Sequence, residues 1–446
     1  MPATASPPTP AAATTARASL LVLGAAAFMS QANARVIDSL LHVVATDFQT
    51  VPARAAIVVS AFALPYGLFQ LFYGPIGDRV GKLRVMAVCL TFFAVGTFAC
   101  GFVPNLPALA TLRFVTGVAA ASIIPMSLGY IGDKFPYERR QIALGQFMSA
   151  IMMGQIAGSA LGGVFGQYLG WRNVFLTFGV VAFIVSILLL RESRRYSEPR
   201  KPGSLLNRSM FAVPAGGCIV FAGMIGVTPP VVTALLLATG IAILLYALFT
   251  QYGAMLRRPG VPAILGSVCV EGLFVFGGLA YLASFLTDRF SIAYGTAGLM
   301  VAGFGVGGLL YSASVKRLVA TIGDLGILLL GGALLGSAFV AIGLIPSWHG
   351  FIPLVILLGM GYYTMHGTLQ TRATEMAPEA RGTAISLFAF AFFMGQSTGP
   401  ILLGRILQAR GYPAAFITAG LGLAALAGTA RILFAQHKHA EPVRAS

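Results

Sequence analysis

The sequence predicts an all-helical membrane protein built from two six-helix bundles arranged as parallel repeats, and three observations carry that expectation. Of 446 residues, 57% are hydrophobic and 9% charged, and the mean hydropathy is +0.85; soluble domains carry roughly 25% charged residues. The apolar runs are long and continuous, as helices of about 20 residues crossing a bilayer require, and lack the short alternation of a transmembrane β-barrel. Finally, the chain matches itself. Thr46/Thr287, Asp47/Asp288, Gly67/Gly308, Arg140/Arg381, Phe147/Phe388, Gly154/Gly395, Gln155/Gln396, Gly158/Gly399, Gly170/Gly411, Phe175/Phe416 and Gly179/Gly420 all lie 241 residues apart. Each copy holds an even number of apolar segments, so both cross the membrane in the same sense, related by an axis along its normal.

Residues 1–18, rich in Ala, Pro and Thr, read as a disordered cytoplasmic tail. The apolar run that follows is too long for a cleaved signal peptide and is expected to stay as the first span. The N-terminal bundle, residues 19–190, has spans near 19–43, 54–72, 85–102, 106–130, 141–166 and 173–190. The C-terminal bundle, residues 261–434, repeats them near 261–286, 294–314, 326–345, 351–370, 383–407 and 413–434, before a cytoplasmic tail over 435–446. The interval 191–260 opens with a basic linker, Arg191 to Arg208, and continues with two apolar runs divided by Thr228-Pro229-Pro230. Basic residues flank that pair at Arg208 and at Arg257-Arg258. The pattern fits an extra transmembrane hairpin and about fourteen spans; the alternative is twelve, with this interval lying partly at the interface.

The formal net charge of +16 does not point to nucleic acid, because the basic residues are not clustered on one surface. Arg79, Lys82, Arg84, Lys134, Arg139, Arg140, Arg194, Arg195, Lys316, Arg317, Arg372 and Arg381 fall in alternate loops, and the intervening loops keep chiefly Arg54, Arg172, Arg289 and Arg410. That is the positive-inside asymmetry, and it puts both termini in the cytoplasm. Cys89, Cys100, Cys218 and Cys269 each sit inside an apolar run without metal-ligand spacing, so they read as small packing residues. No metal and no cofactor is expected.

Between the second and third spans the chain reads Gly74-Pro75-Ile76-Gly77-Asp78-Arg79-Val80-Gly81-Lys82. Its glycines suit a tight turn, and its carboxylate followed by basic groups can latch onto neighbouring helix termini. This segment resembles the loop signature of the major facilitator superfamily, with Gly74, Asp78, Arg79, Gly81 and Lys82 as the gating loop. The resemblance covers nearly the whole chain. Arg113, in Leu112-Arg113-Phe114-Val115-Thr116-Gly117, is similar to the family's fourth-helix arginine motif; Gly154-Gln155-Ile156-Ala157-Gly158-Ser159 is similar to its fifth-helix antiporter motif; and Pro378-Glu379-Ala380-Arg381-Gly382 resembles the matching loop of the second half. There are departures. Ser159 stands where the antiporter motif has proline, which appears in the second copy as Pro400, and the second-half counterpart of the Asp78 turn, around Lys316 to Gly323, lacks the aspartate. Glycines four apart let helix backbones approach closely, so Gly154, Gly158, Gly162, Gly395 and Gly399 are expected to form faces that meet between the bundles and let them rock.

An ionisable side chain in hydrocarbon costs about 2.5–3.5 kcal/mol on insertion scales, so each one needs a reason. Glu271 lies about 15 Å into its helix at 1.5 Å per residue, near the midplane, where it can bind and release a proton or hold a cationic solute. Gln31, Arg35 and Asp38 share a helix face, and either Arg35 or Arg113 is within reach of an ion pair with Asp38. Gln155, Gln396, Tyr66, Tyr362 and His366 are candidates to line a central cavity. The expected function is a secondary transporter in a bacterial inner membrane, monomeric, working by alternating access and exporting a drug-like or small organic solute against protons. The rival is a proton symporter or facilitator importing a sugar or organic anion. A membrane enzyme or a transporter-like receptor is remote, since there is no cluster of His, Asp or Cys and no appended domain. No GxxxxGK[ST] loop occurs, which leaves an ion or solute gradient as the energy source.

Overall fold

A computed structural model describes residues 10–135, 137–195, 212–225, 229–377 and 381–440. The described residues fold into helices joined by short turns, one of the two ways apolar sequence can satisfy its backbone groups where no water is available. The first half comprises α1 (Pro10–Asp47), α2 (Pro52–Ala55), α3 (Ile57–Val80), α4 (Lys82–Ala99), α5 (Leu106–Ala120), α6 (Ile123–Lys134), α7 (Tyr137–Leu169) and α8 (Trp171–Arg195). Then come α9 (Ala212–Met224) and α10 (Pro230–Leu256). The second half comprises α11 (Val261–Leu279), α12 (Leu282–Phe290), α13 (Tyr294–Val301), α14 (Gly303–Leu344), α15 (Phe351–Thr374) and α16 (Arg381–Ala440).

Among the described residues, ten stretches are long and apolar enough to cross a membrane. Two of them, Tyr294–Leu344 with 51 residues and Thr383–Ala435 with 53, far exceed the roughly 20 residues of one crossing. Each is broken by a glycine in non-helical geometry, Gly323 (φ 64°) in α14 and Gly411 (φ 80°) in α16. Gly170, the repeat mate of Gly411, has φ 82° between α7 and α8. These are left-handed backbone positions that favour glycine, and the matched pair makes the same turn in both halves.

Several boundaries differ from expectation. α1 begins at Pro10 rather than near residue 19, because the stretch that follows, rich in alanine, favours helix. α16 likewise continues to Ala440, into the expected tail. α3 continues to Val80, so the turn of the gating loop shrinks to Gly81, at φ 105°. The segments 196–211, 226–228 and 378–380, including most of the basic linker and the start of the second loop motif, lie outside the described residues. α9 packs on α10 where Gly216 meets Gly240, and leans on the first half: Gly217 sits against Leu68, and Phe221 stacks on Phe114 at 4.2 Å.

The glycine stripes work differently from expectation. A Cβ on Gly154, Gly158 or Gly162 would strike the backbone of Phe28, Ala32 or Val36 on α1, and one on Gly395 or Gly399 would strike that of Cys269 or Leu273 on α11. The partners are themselves repeat mates: Phe28 with Cys269, and Ala32 with Leu273, each 241 residues apart. These glycines therefore seat helices within each half and do not form the surface between the halves. That surface uses the neighbouring faces. Gly163 meets Gly298, whose Cα would lie 2.9 Å from an added Cβ, while Gly67 meets Phe393 and Gly305 meets Ile156. The reason is angular, since one residue along a helix turns the side-chain direction by about 100°.

Candidate functional site

Several buried polar side chains gather where α1, α3 and α7 face α11, α15 and α16. A chain of side-chain hydrogen bonds crosses between the halves here. Gln31 donates to the Tyr66 hydroxyl at 3.3 Å, Gln155 donates to Gln31 at 3.4 Å, and Tyr363 of α15 donates to Gln155 at 3.4 Å. Four elements are thus tied by neutral groups, which can exchange partners at small cost because each amide both donates and accepts. A cavity of about 10 Å³, bounded by Arg35, Gln155, Ser159, Phe304, Gly305 and Tyr363, lies beside this chain. It holds about one water molecule at most. Gln396, the mate of Gln155, is buried on α16 with its backbone nitrogen close to Gly272.

On the first-half side, Arg35 donates to Asp38 at 3.1 Å, one helical turn away. Its guanidinium also lies 4.3 Å from the ring centroid of Phe276 on α11, an attraction between cation and aromatic face that spans the halves. Arg35 and Phe276 are repeat mates, so they meet where an axis relating the two halves must pass. Of the two ion pairs the sequence allows for Asp38, the one with Arg35 forms. Arg113, fully buried, instead donates to the Asn33 carbonyl at 3.0 Å and to the Asn33 side chain, and lies 4.3 Å from the Phe62 ring centroid. Asn33 in turn donates to Thr97 at 3.2 Å. Asp38 Oδ1, Arg35 Nε, and Nε and Nη2 of Arg113 are buried without a hydrogen-bond partner, so this cluster keeps capacity for further polar contacts.

On the second-half side, Glu271 Oε2 lies 2.8 Å from His366 Nδ1 on α15. Glu271 is completely buried, and its Oε1 has no hydrogen-bond partner. The imidazole stacks on Tyr362, with centroids 5.1 Å apart, and packs against Phe392 at 4.9 Å and Phe388 at 5.5 Å. Phe276 touches the same shell edge-on, 5.4 Å from both Tyr362 and Phe392. Two aromatic rings in succession, Phe276 and then Tyr362 or Phe392, therefore link the Arg35–Asp38 pair to the Glu271–His366 pair.

The gating-loop residues sit apart from this centre. Lys82 pairs with Asp133 at 2.7 Å, within the first half, and the side chains of Asp78 and Arg79 lie outside the described residues. Among the described residues no group of three or more His, Cys, Asp and Glu could hold a metal ion. Sequence reasoning missed two participants. Asn33 carried one signal, an amide in an apolar helix; Phe276 carried only its 241-residue relation to Arg35.

Duplicated helical halves that enclose a polar centre within an apolar shell define a membrane transporter class that moves small solutes between the halves. The Major Facilitator Superfamily pattern matches residues 23–290 and 264–446, and the chain belongs to that family. It is 25% identical over 381 residues to an uncharacterised MFS-type transporter, YceJ, of Bacillus subtilis (strain 168), covering 84% of this chain and 85% of that protein. It is 24% identical over 410 residues to the multidrug resistance protein Stp of Mycobacterium tuberculosis (strain CDC 1551 / Oshkosh), covering 87% and 75%. Among solved structures, a bacterial homologue of the human lysosomal transporter Spinster, inward-facing and unoccupied, superposes with a TM-score of 0.69 at 18% identity, over 96% of this chain and 99% of that one. The protein is a multi-pass membrane transporter and not an enzyme.

Proposed function

We propose that this transporter exports a drug-like or small organic solute in exchange for protons, with Glu271 and His366 as the proton-carrying pair. The observation that carries the reading is the placement of that pair: a carboxylate with one free oxygen and an imidazole, deep in the protein, two aromatic rings away from a charged cluster of the opposite half. Protonating Glu271 removes a buried charge and frees the imidazole, so the favoured arrangement of the two halves differs between the protonated and deprotonated states. The Gln31–Gln155–Tyr363 chain and the aromatic groups around His366 supply a surface for an amphipathic solute. Stp, a relative over most of the chain, carries the name of a multidrug resistance protein.

The same reading takes 19–190 and 261–434 as the two bundles, gives them twelve crossings with α14 and α16 each crossing twice, and adds α9–α10 as a hairpin for fourteen. Both termini lie in the cytoplasm of a bacterial cell, and the monomer is the working unit. The end of the bundle remote from the termini is then the outer face. There Gln167 of α7 accepts from the Gly295 backbone of α13 at 2.9 Å, across the halves, whereas the pairs Lys82–Asp133 and Arg372–Asp324 at the terminal end are within halves. That asymmetry supports a state closed to the outside.

A second reading, import of an organic anion with protons, draws on the free guanidinium donors of Arg113 and Arg35. Proteoliposomes with a pH gradient of either sign, offered labelled cationic, neutral and anionic solutes, separate the two. Export predicts accumulation of cations or neutral amphiphiles in vesicles that are acid inside. Accumulation of anions in vesicles that are alkaline inside supports the rival, and indifference to the gradient removes both.

A further inference from the structure

Asp47 and Asp288 are repeat mates at the end remote from the termini, and their surroundings match at first. Asp47 accepts from the Trp171 indole at 3.3 Å, and Asp288 accepts from the hydroxyl of Tyr412, the mate of Trp171, at 2.5 Å. Then the copies diverge. Arg172 follows Trp171 and reaches Asp47 at 2.6 Å, giving that carboxylate a permanent cation from its own half. Pro413 stands at the matching place in the second half. Asp288 turns to the other half instead: its Oδ1 lies 2.8 Å from Nδ1 of His42 on α1. The approach has the separation of an ion pair without the angles of a hydrogen bond, since His42 Nδ1 has no hydrogen-bond partner. Its strength therefore depends on the charge of the ring.

We propose that His42 and Asp288 form a proton site that latches the two halves together at this end: the imidazolium holds α1 against α12, and the neutral ring lets them part. Histidine is the side chain whose charge changes between about pH 5 and 8. The two side chains are 33% and 31% exposed, so protons reach them from water. The neighbouring charges do not compete for that role. On α1, Asp38 is paired with Arg35 and Asp47 with Arg172. On α12, Arg289 lies 5.7 Å from the Phe290 ring; Tyr412 of α16 already donates to Asp288; Tyr294 opens α13, and Arg54 lies on α2. These are carboxylates, arginines and phenols, and none of them is an imidazole. The sign follows: acid engages the latch, and alkali releases it. The proposal rests on the alternating-access reading, and it adds to the central pair a second proton site that favours closure when the outer compartment is acid.

Spin labels at positions 51 and 293, in full-length protein with its four cysteines replaced by alanine and set in lipid nanodiscs, report the separation across this end by electron–electron resonance. Moving from pH 8.5 to pH 5.5 should raise the ratio of short to long distances by about two- to five-fold, the range of a partly exposed ion pair. His42→Gln and Asp288→Asn should each flatten that response, and His42→Arg should hold the short distance at both pH values. A full response in His42→Gln, or none in the parent protein, would overturn the latch. The measurement needs no solute, so a normal response in a protein that shows no proton-driven transport would count against the export reading and leave the latch standing.

Discussion

The two halves were once the same sequence, and the polar centre shows how far they have parted. In the first half, Arg35, Asp38, Arg113 and Asn33 make a cluster in which every charged side chain has a partner. The second half has Phe276 and Leu279 at the mates of Arg35 and Asp38, and concentrates its chemistry in Glu271 and His366, inside an aromatic shell. Glu271 has Ser30 as its mate, and His366 has Pro125. What stayed alike is the scaffold: the glycine seats of Gly158 and Gly399, the left-handed turns at Gly170 and Gly411, and the aspartates that receive Trp171 and Tyr412. Packing geometry is shared by both copies, while charge was free to specialise, one half holding a cluster of two arginines and one aspartate and the other a carboxylate–imidazole pair.

That contrast can be broken most severely on the first-half side. Arg35→Ala leaves Asp38 as a buried charge without its partner, which costs about 3–5 kcal/mol; the expected result is a large fall in apparent melting temperature in detergent. Glu271→Gln keeps the shape and removes the charge, so its melting temperature should stay near that of the parent. Equal losses in both variants would erase the distinction between the halves. The shared scaffold makes a second forecast. Gly158→Leu and Gly399→Leu both force a side chain into backbone, and each should destabilise by about 1–3 kcal/mol or more, to a similar degree. A tolerant position on either side would show that the two seats are not equivalent in energy. Smaller again is Phe276→Leu, which removes a cation–aromatic contact worth about 0.5–2 kcal/mol but leaves the hydrogen bonds intact. It should shift the balance between the two arrangements of the halves without lowering the melting temperature by more than a few degrees.

Much of this architecture was legible in the residues. The duplication and the helical class followed from spacing and composition, because a repeated scaffold leaves glycines and aspartates at fixed intervals, and the family followed from the resemblance of the Gly74 to Lys82 loop and the Arg113 and Gly154 motifs. Glu271, His366, Arg35 and Asp38 were each visible as polar groups in apolar sequence. That Glu271 reaches His366 was not, because the two lie on helices 95 residues apart and nothing in either helix specifies its rotation toward the other. The glycine stripe misled for a related reason. A period of four identifies a face but not its neighbour, and the stripe beside it, carrying Gly163, is the one that meets the other half. Phe276 was the hardest to see, since an aromatic residue in a membrane helix looks like packing until its partner is known.

The central claim concerns the proton at Glu271, and solute flux in proteoliposomes measures it directly, comparing gradient-driven accumulation with solute exchange at equal pH. The parent protein should accumulate solute when the vesicles are acid inside, and Glu271→Gln should lose at least about tenfold of that accumulation while keeping exchange. Accumulation unchanged in Glu271→Gln would contradict the account and move the proton elsewhere in the protein.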